Sequence, residues 1–394
     1  MGRMNRLSRD ERGISAVVAA VALIGIFAAA TLSIDAGNVW QSRRNIITAT
    51  DAAALAEAGE LALSEATSCS GLYDTVLTRN AGSDVIDRDC DVVAHPTQPG
   101  WGYVVVEGRK PIDVHFGVVL GLKDTNAFSL SAAQFGAASG ARGLRPIAFC
   151  MNNEHVGEWR SLKAGLMTQD EYDALKGDPT LDSEGRIKHP TLSPPQGSYS
   201  SFGVVHRMYF VRSIDDGGCG DYDGNWGWLD FNGNEPPNGT GSIEEWLVNG
   251  YDGEVNVHIG PPCEQLPGGG DAESSEEGCV PASTGTLSNA VKDGLDAILN
   301  KPVHILIVNE GTDCGGTTCT LTAFAFLGVI LRGYNITGPP RLHYFDFEFT
   351  NIQLSGKCCN LDPDQDLGAR AINLCAVDHD SKAITDVDRC GSSI

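Results

Sequence analysis

Twenty-one consecutive residues without a charge, Ile14 to Ile34, constrain this chain more than any other feature. A helix of that length spans about 31 Å, the thickness of a bilayer core. Arg3, Arg6, Arg9 and Arg12 precede it. An arginine-rich flank marks the cytoplasmic side, which places everything after Ile34 outside. The same run read as a cleaved signal peptide would use Ala28-Ala29-Ala30 as its processing site. The run is long for that purpose, and helix-forming sequence continues past it. A buried core helix is disfavoured because the run has no polar face.

Charge follows the same division. The net charge is −23, yet residues 1–34 hold four arginines against Asp10 and Glu11, so the acidic excess lies entirely in the exterior part. No basic stripe occurs, which excludes a nucleic-acid partner. All 12 cysteines follow Ile34, beginning with Cys69, as expected for disulfides in an oxidising compartment. Abundant glycine (47) and proline (18) favour turn-rich β structure there.

The expected fold class is α+β: a transmembrane helix continuing as a helical stalk, then a β-rich, disulfide-bonded extracytoplasmic region. Residues 1–13 form a basic cytoplasmic segment, 14–34 the transmembrane helix and 35–66 the stalk, where Asp51–Ala66 (DAAALAEAGELALSEA) is dense in strong helix formers. An unbroken helix from Ile14 to Ala66 would be about 80 Å long, with Gly37 and Gly59 as places to bend. Thr48, Ala52, Leu55, Gly59 and Ala62 make a small-residue face, and Ile47, Ala54, Ala58 and Leu61 a neighbouring apolar seam that includes Asp51. Packing on the chain's own domain is preferred to an intermolecular bundle, although the small face offers a route to a homo-oligomer.

Residues 67–140 read as a first β module, with strands at Val85–Asp91, Tyr103–Glu107 and Phe128–Gln134; Val114–Leu122 fits strand or helix. Residues 141–260 read as a second β-rich region, with strands at Leu144–Cys150 and Val204–Val211 and a polar surface loop over Thr168–Ser200. Ser242 and Glu245 form a capping-box pattern for a helix over Ile243–Asn249. A flexible loop over 261–285 contains Cys263 and Cys279, a candidate disulfide. Residues 286–355 read as α+β, with a helix at Ser288–Leu299 and strands at Val303–Val308, Thr320–Leu331 and Leu342–Thr350. A cysteine-rich tail fills 356–394.

Signatures of catalysis are missing: no GxSxG, HExxH or P-loop occurs, and no cofactor is implied. Asp221, Asp223 and Asn225 resemble the start of a calcium loop, but its sixth position is Trp226 and its twelfth Asn232, so turn chemistry accounts for them. Cys314-x4-Cys319 and the vicinal Cys358-Cys359 could supply zinc thiolates. Disulfides suit the compartment better, with Cys314–Cys319 closing a turn and Cys358 and Cys359 going to separate partners. Trp226, Trp228 and Trp246 line either a carbohydrate or partner site or the core.

Arg9–Leu61 resembles the TadG-like proteins of the Tad/Flp pilus-assembly family. The resemblance rests on the basic lead with Gly13, on Ile34-Asp35-Ala36-Gly37, and on Asp51-Ala52-Ala53-Ala54-Leu55. Pro111–Ala137 is similar to the segment that follows in that family, as are Trp228–Phe231 and Gly333–Asn335 to its C-terminal regions. The resemblance implies a single-pass, non-enzymatic accessory component whose partners are pilins or pilus-assembly proteins and the lipid bilayer. The metal-binding D-x-S-x-S motif of some relatives is missing. Pilins of the type IV class are cut after a glycine and carry Glu at the fifth mature position; here Gly13 is suitably placed, but the fifth residue after it is Val18. An anchor that keeps its basic N-terminus is therefore expected. A surface adhesin or ligand-binding protein is the alternative, motivated by the acidic loops of Asp215–Gly253 and their tryptophans.

Overall fold

The computed structural model describes residues 7–94, 101–113, 125–175, 203–209, 228–231, 240–258, 263, 278–283, 289–315, 318–337, 344–359 and 365–375. It is mixed α+β. One helix, α1 (Leu7–Ser64), runs unbroken for 58 residues, about 87 Å at the ordinary rise. Its two halves have opposite surroundings. From Val17 to Ile34 the large apolar side chains stand exposed, whereas Ile46, Ala49, Ala53, Ala54, Ala58, Leu61 and Ala62 are fully buried.

The buried half lies across an antiparallel sheet made of β1 (Ile86–Ala94), β2 (Gly102–Ile112) and β3 (Thr125–Ala137). A distant strand, β14 (Ala369–Leu374), pairs antiparallel with β3, and β13 (Ile352–Gln353) pairs parallel with β14. In β2, Val104 and Val106 face α1 and close one core with Phe135, as the two-residue period of a strand requires. A short helix, α2 (Leu72–Ala81), packs beside α1. The disulfide Cys69–Cys90 ties the intervening turn to β1.

A second sheet has seven strands. Its spine is the long hairpin of β10 (Pro302–Gly315) and β11 (Thr318–Asn335), flanked by parallel β5 (Ala148–Cys150) and by β12 (Tyr344–Phe349) with β6 (Val205–Tyr209) at the edge. β9 (Cys279–Ser283) pairs with β11, and β7 (Trp228–Leu229) with β9. Both faces are covered. Val303, Ile305, Ile307, Phe345 and Phe347 enter one core, and Leu306 and Val308 the other, which explains why β10 reads as a continuous apolar run. The first core is roofed by α3 (Glu154–Lys163), α4 (Gln169–Ala174), α5 (Thr240–Asn249) and α6 (Asn289–Ile298). The second contains Ala369 and Ala371 of β14, so β14 belongs to both halves of the molecule. A two-stranded ribbon, β4 (Gly140–Ala141) with β8 (Val255–Asn256), closes that side.

Several expectations require correction. The stalk expected over 35–66 packs on the chain's own domain, as preferred, but only from Ile46 onward, where its alanine-rich face fits the surface of β2 and β3 closely. The seated face combines part of both expected faces: Gly59 and Ala62 of the small-residue stripe and Ala54, Ala58 and Leu61 of the neighbouring seam are buried. Thr48 is exposed and Ala52 and Leu55 only half-buried, while Ile46, Ala49 and Ala53 make the contact. Neither Gly37 nor Gly59 breaks the helix. The start of Thr168–Ser200 is helical: Thr168 and Glu171 form a reciprocal capping box and Tyr172 is buried. Conversely, α5 starts at Thr240, so Ser242 lies inside it instead of capping it. Cys358 and Cys359 bring their sulfurs side by side. Both side chains lie over the β3–β14 pair, Cys359 beside Gly136 and Cys358 at the Ala371 carbonyl.

One ionic node fastens the end of α1 to both sheets. The Glu65 carboxylate meets Lys163 Nζ of α3 at 2.7 Å and Arg370 Nη2 of β14 at 3.3 Å. Arg370, 0% exposed, also pairs with Asp366 at 2.7 Å. Asn351 Nδ2 donates to the Leu63 carbonyl at 3.0 Å, satisfying an acceptor left over by the helix terminus. Burial pushes the Glu65 carboxyl up, but Lys163 and Arg370 prevail and hold it below its usual 4.5. A depressed acid contributes stability above its unfolded value and loses it as pH falls through the folded one. Glu65→Gln should therefore cost about 2 kcal/mol at neutral pH. Below pH 4.5 the gap from wild type should narrow, a result to be checked by chemical unfolding of the detergent-solubilised chain across pH.

Candidate functional site

The feature most suited to a function is the exposed half of α1 and the seat that holds it. One helix of the described residues is long and apolar enough to cross a membrane, and its most apolar stretch is wholly unburied. Its hydroxyls are satisfied internally: Thr31 Oγ1 donates to the Ala28 carbonyl at 2.9 Å and Ser33 Oγ to the Ala29 carbonyl at 2.9 Å. Such back-bonding lets a hydroxyl enter hydrocarbon without an unpaired donor. Trp40 follows, 61% exposed, with the Arg44 guanidinium 5.6 Å from its ring centre. An exposed tryptophan and a cation about two turns beyond an apolar run suit the headgroup layer.

The motif residues are divided between the exposed half and the seat. Gly13 lies within α1, and nothing approaches Gly37 within 4 Å. Asp35 is 6% exposed, an unusual burial for a carboxylate at the end of an apolar run. Asp51 accepts a hydrogen bond from Ser131 Oγ at 2.6 Å. Ala53 and Ala54 are fully buried on the seated face, with Ala52 and Leu55 at its margin. Close approach explains the small residues. At Gly108 of β2 a Cβ would lie 3.3 Å from both Ile46 Cδ1 and Thr50 Cγ2.

Two buried polar contacts set the seat's register, and sequence reasoning missed both. Thr50 Oγ1 lies 2.7 Å from Ser129 Oγ and 2.8 Å from Ser131 Oγ, inside the interface. The buried Glu57 carboxylate accepts from the backbone N–H of Tyr73 at 2.8 Å and from that of Ser70, at the N-terminal end of α2. There it satisfies N–H groups that Gly71 has no side chain to cap. A glutamate one turn beyond Ala53 in an otherwise small, apolar face was the available signal for the second contact.

The remaining candidates are distributed as follows. Asp221, Asp223 and Asn225 lie outside the described residues, as does Trp226. The backbone of Cys314 and Cys319 flanks the tip of the β10–β11 hairpin; their side chains lie outside the described set. Cys263 and Cys279 are joined in a disulfide. Trp228 packs edge-on to Phe345, while Trp246 meets Phe231 and Tyr251 in the opposite core. These two tryptophans are core residues and form no shared binding platform. Two groups among the described residues bring metal-ligating atoms within 4.8 Å of one another: His258, Cys263 and Cys279, whose sulfurs are consumed by the disulfide, and His155, Glu158 and His206.

Comparison of the chain with protein-family models, with curated proteins and with solved structures found no match.

The seat can be probed without changing its shape. Thr50→Val removes the hydroxyl shared by Ser129 and Ser131 at nearly constant volume. It should lower stability by about 1–3 kcal/mol through the stranded partners, and adding Ser129→Ala should recover part of the loss. Thermal unfolding of the two variants in detergent checks this.

Proposed function

We propose that this chain is a membrane-anchored, non-enzymatic accessory component of Tad/Flp-type pilus assembly, with its basic N-terminus in the cytoplasm and its β-rich region outside. The observation that carries the reading is the single helix α1, apolar and exposed at one end and locked to a folded body at the other. Anchoring alone would be served by any apolar helix joined through a linker. A continuous helix seated by Thr50, Glu57 and Glu65 fixes the body's orientation to the bilayer normal. An assembly factor that must present one surface to neighbours in or beside the membrane needs that fixed orientation. The arginines before the apolar run give the orientation, and the resemblance of Arg9–Leu61 supplies the system. Pilin or assembly proteins are the partners, reached through the apolar half of α1 and the exterior surface.

Two measurements test this reading. The chain should stay with the membrane on alkaline carbonate extraction, and a protease added to intact spheroplasts should digest the exterior region. Release by carbonate, or protection of that region, overturns the anchor. Deleting the coding sequence should abolish or strongly reduce surface pili counted by electron microscopy, with recovery on re-expression. Unchanged pilus number in a strain lacking the chain overturns the assembly role.

A further inference from the structure

We infer that His155, Glu158 and His206 form a binding site for a zinc-class divalent cation that staples α3 to the edge strand β6. This inference is independent of the membrane reading.

The fold brings the three residues together from two elements. His155 and Glu158 are three apart on α3, so they share a face of the helix. Asn153 caps that helix, its side chain accepting from the His155 N–H, which fixes the first turn. His206 is the second residue of β6, opposite Phe347 of β12. The imidazole centroids are 4.6 Å apart. Glu158 Oε2 lies between the rings, 3.1 Å from His155 Nδ1 and 3.9 Å from His206 Nδ1.

These separations match a coordination sphere. Tetrahedral zinc with nitrogen and oxygen ligands at about 2.0–2.1 Å holds the ligand atoms roughly 3.3 Å from each other. The observed 3.1 and 3.9 Å bracket that value, so small side-chain rotations suffice. The donor set also selects the ion. Two imidazoles and one carboxylate suit zinc, whereas calcium and magnesium take oxygen ligands almost exclusively. Three protein ligands leave a fourth position for water. Glu158, with 28% of its side chain exposed, marks the open side.

Surrounding residues hold the ligands in place. Tyr172 Oη of α4 lies 2.9 Å from His206 Nε2. A tyrosine phenol is an O–H at neutral pH. Its oxygen can accept from Nε2–H and direct the Nδ1 lone pair of His206 toward Glu158, the arrangement that outer partners of metal-bound histidines provide. His155 Nε2 faces Glu154 Oε1 at 3.8 Å. Phe349 stacks on the His206 ring at 4.7 Å, and Trp159 packs against both Phe349 and Tyr172. His206 is only 2% exposed, so its ring cannot swing away without opening this aromatic layer.

The test uses the full chain in detergent with its disulfides intact, stripped by chelator and titrated with zinc alone. Metal content is read by mass spectrometry and unfolding temperature by calorimetry. Wild type should take up one zinc per chain and unfold at a higher temperature with metal. Glu158→Gln and His206→Ala should each abolish stoichiometric uptake. Tyr172→Phe, which keeps all three ligands, should weaken zinc affinity about 10- to 100-fold. His258→Ala, at the other histidine cluster, should leave uptake unchanged. Cobalt(II) in place of zinc should give the visible absorption of a tetrahedral centre. Should His206→Ala fail to fold, Glu158→Gln and Tyr172→Phe still decide. Folded wild type that takes up no zinc, or Glu158→Gln that binds it as wild type does, overturns the site. Loss of uptake in His258→Ala with retention in Glu158→Gln would move the metal to the other cluster and also overturn it.

Discussion

The Glu65 carboxylate is the contact on which the architecture depends. α1 ends there, and two cations from elements distant in sequence converge on it. Arg370 is completely buried and would be intolerable without Glu65 and Asp366 beside it. Lys163 lays its charge over the Trp159 ring, 4.5 Å from the centre, as well as on Glu65. The node thus joins the end of α1, the sheet of β1–β3 and the roof of the second sheet. Trp159 Nε1 donates to the Leu367 carbonyl at 2.7 Å and Trp101 Nε1 to Asp366 at 3.0 Å, which extends the same junction through neutral donors.

The position of β14 follows from that node. Arg370 can reach Glu65 only if its strand lies beside β3, which brings residues near the end of the chain into the sheet that α1 covers. Ala369 and Ala371 then supply small side chains to the core of the second sheet. A strand shared in this way makes the two sheets one mechanical unit. α1 is therefore coupled to the second sheet by packing and charge, and not only through the covalent chain.

What the sequence made legible was local. The apolar run, the alanine-rich continuation and most strands could be read from period and composition: β10 from VHILIV, β12 from YFDFEF, and α6 within a residue or two of its ends. The seat was legible in part: Ala54, Ala58 and Leu61 of the expected seam and Gly59 and Ala62 of the small-residue face are buried in it. A stripe of alanines fits a helix face turned by one residue as well as the face used. Only Thr50, Glu57 and Asp51, polar residues with partners about 80 positions away or on the next helix, select between them. The capping box at Thr168 and Glu171 was visible but was hidden by the proline- and glycine-rich sequence after it. The His155–Glu158–His206 cluster joins an i, i+3 pair to a strand residue some fifty positions away, a separation that no motif spans.

The depth at which the body begins has a geometric consequence. Twelve residues separate Ile34 from Ile46, the first fully buried residue of the seat, and a helix covers that in about 18 Å. Trp40 and Arg44 fall inside this interval, suited to the headgroup layer. With the apolar run in a bilayer, as proposed, the folded body would start about 18 Å beyond it, without a long free stalk. A single continuous helix with three polar fixings, at Thr50, Glu57 and Glu65, holds the body in one orientation to the apolar run.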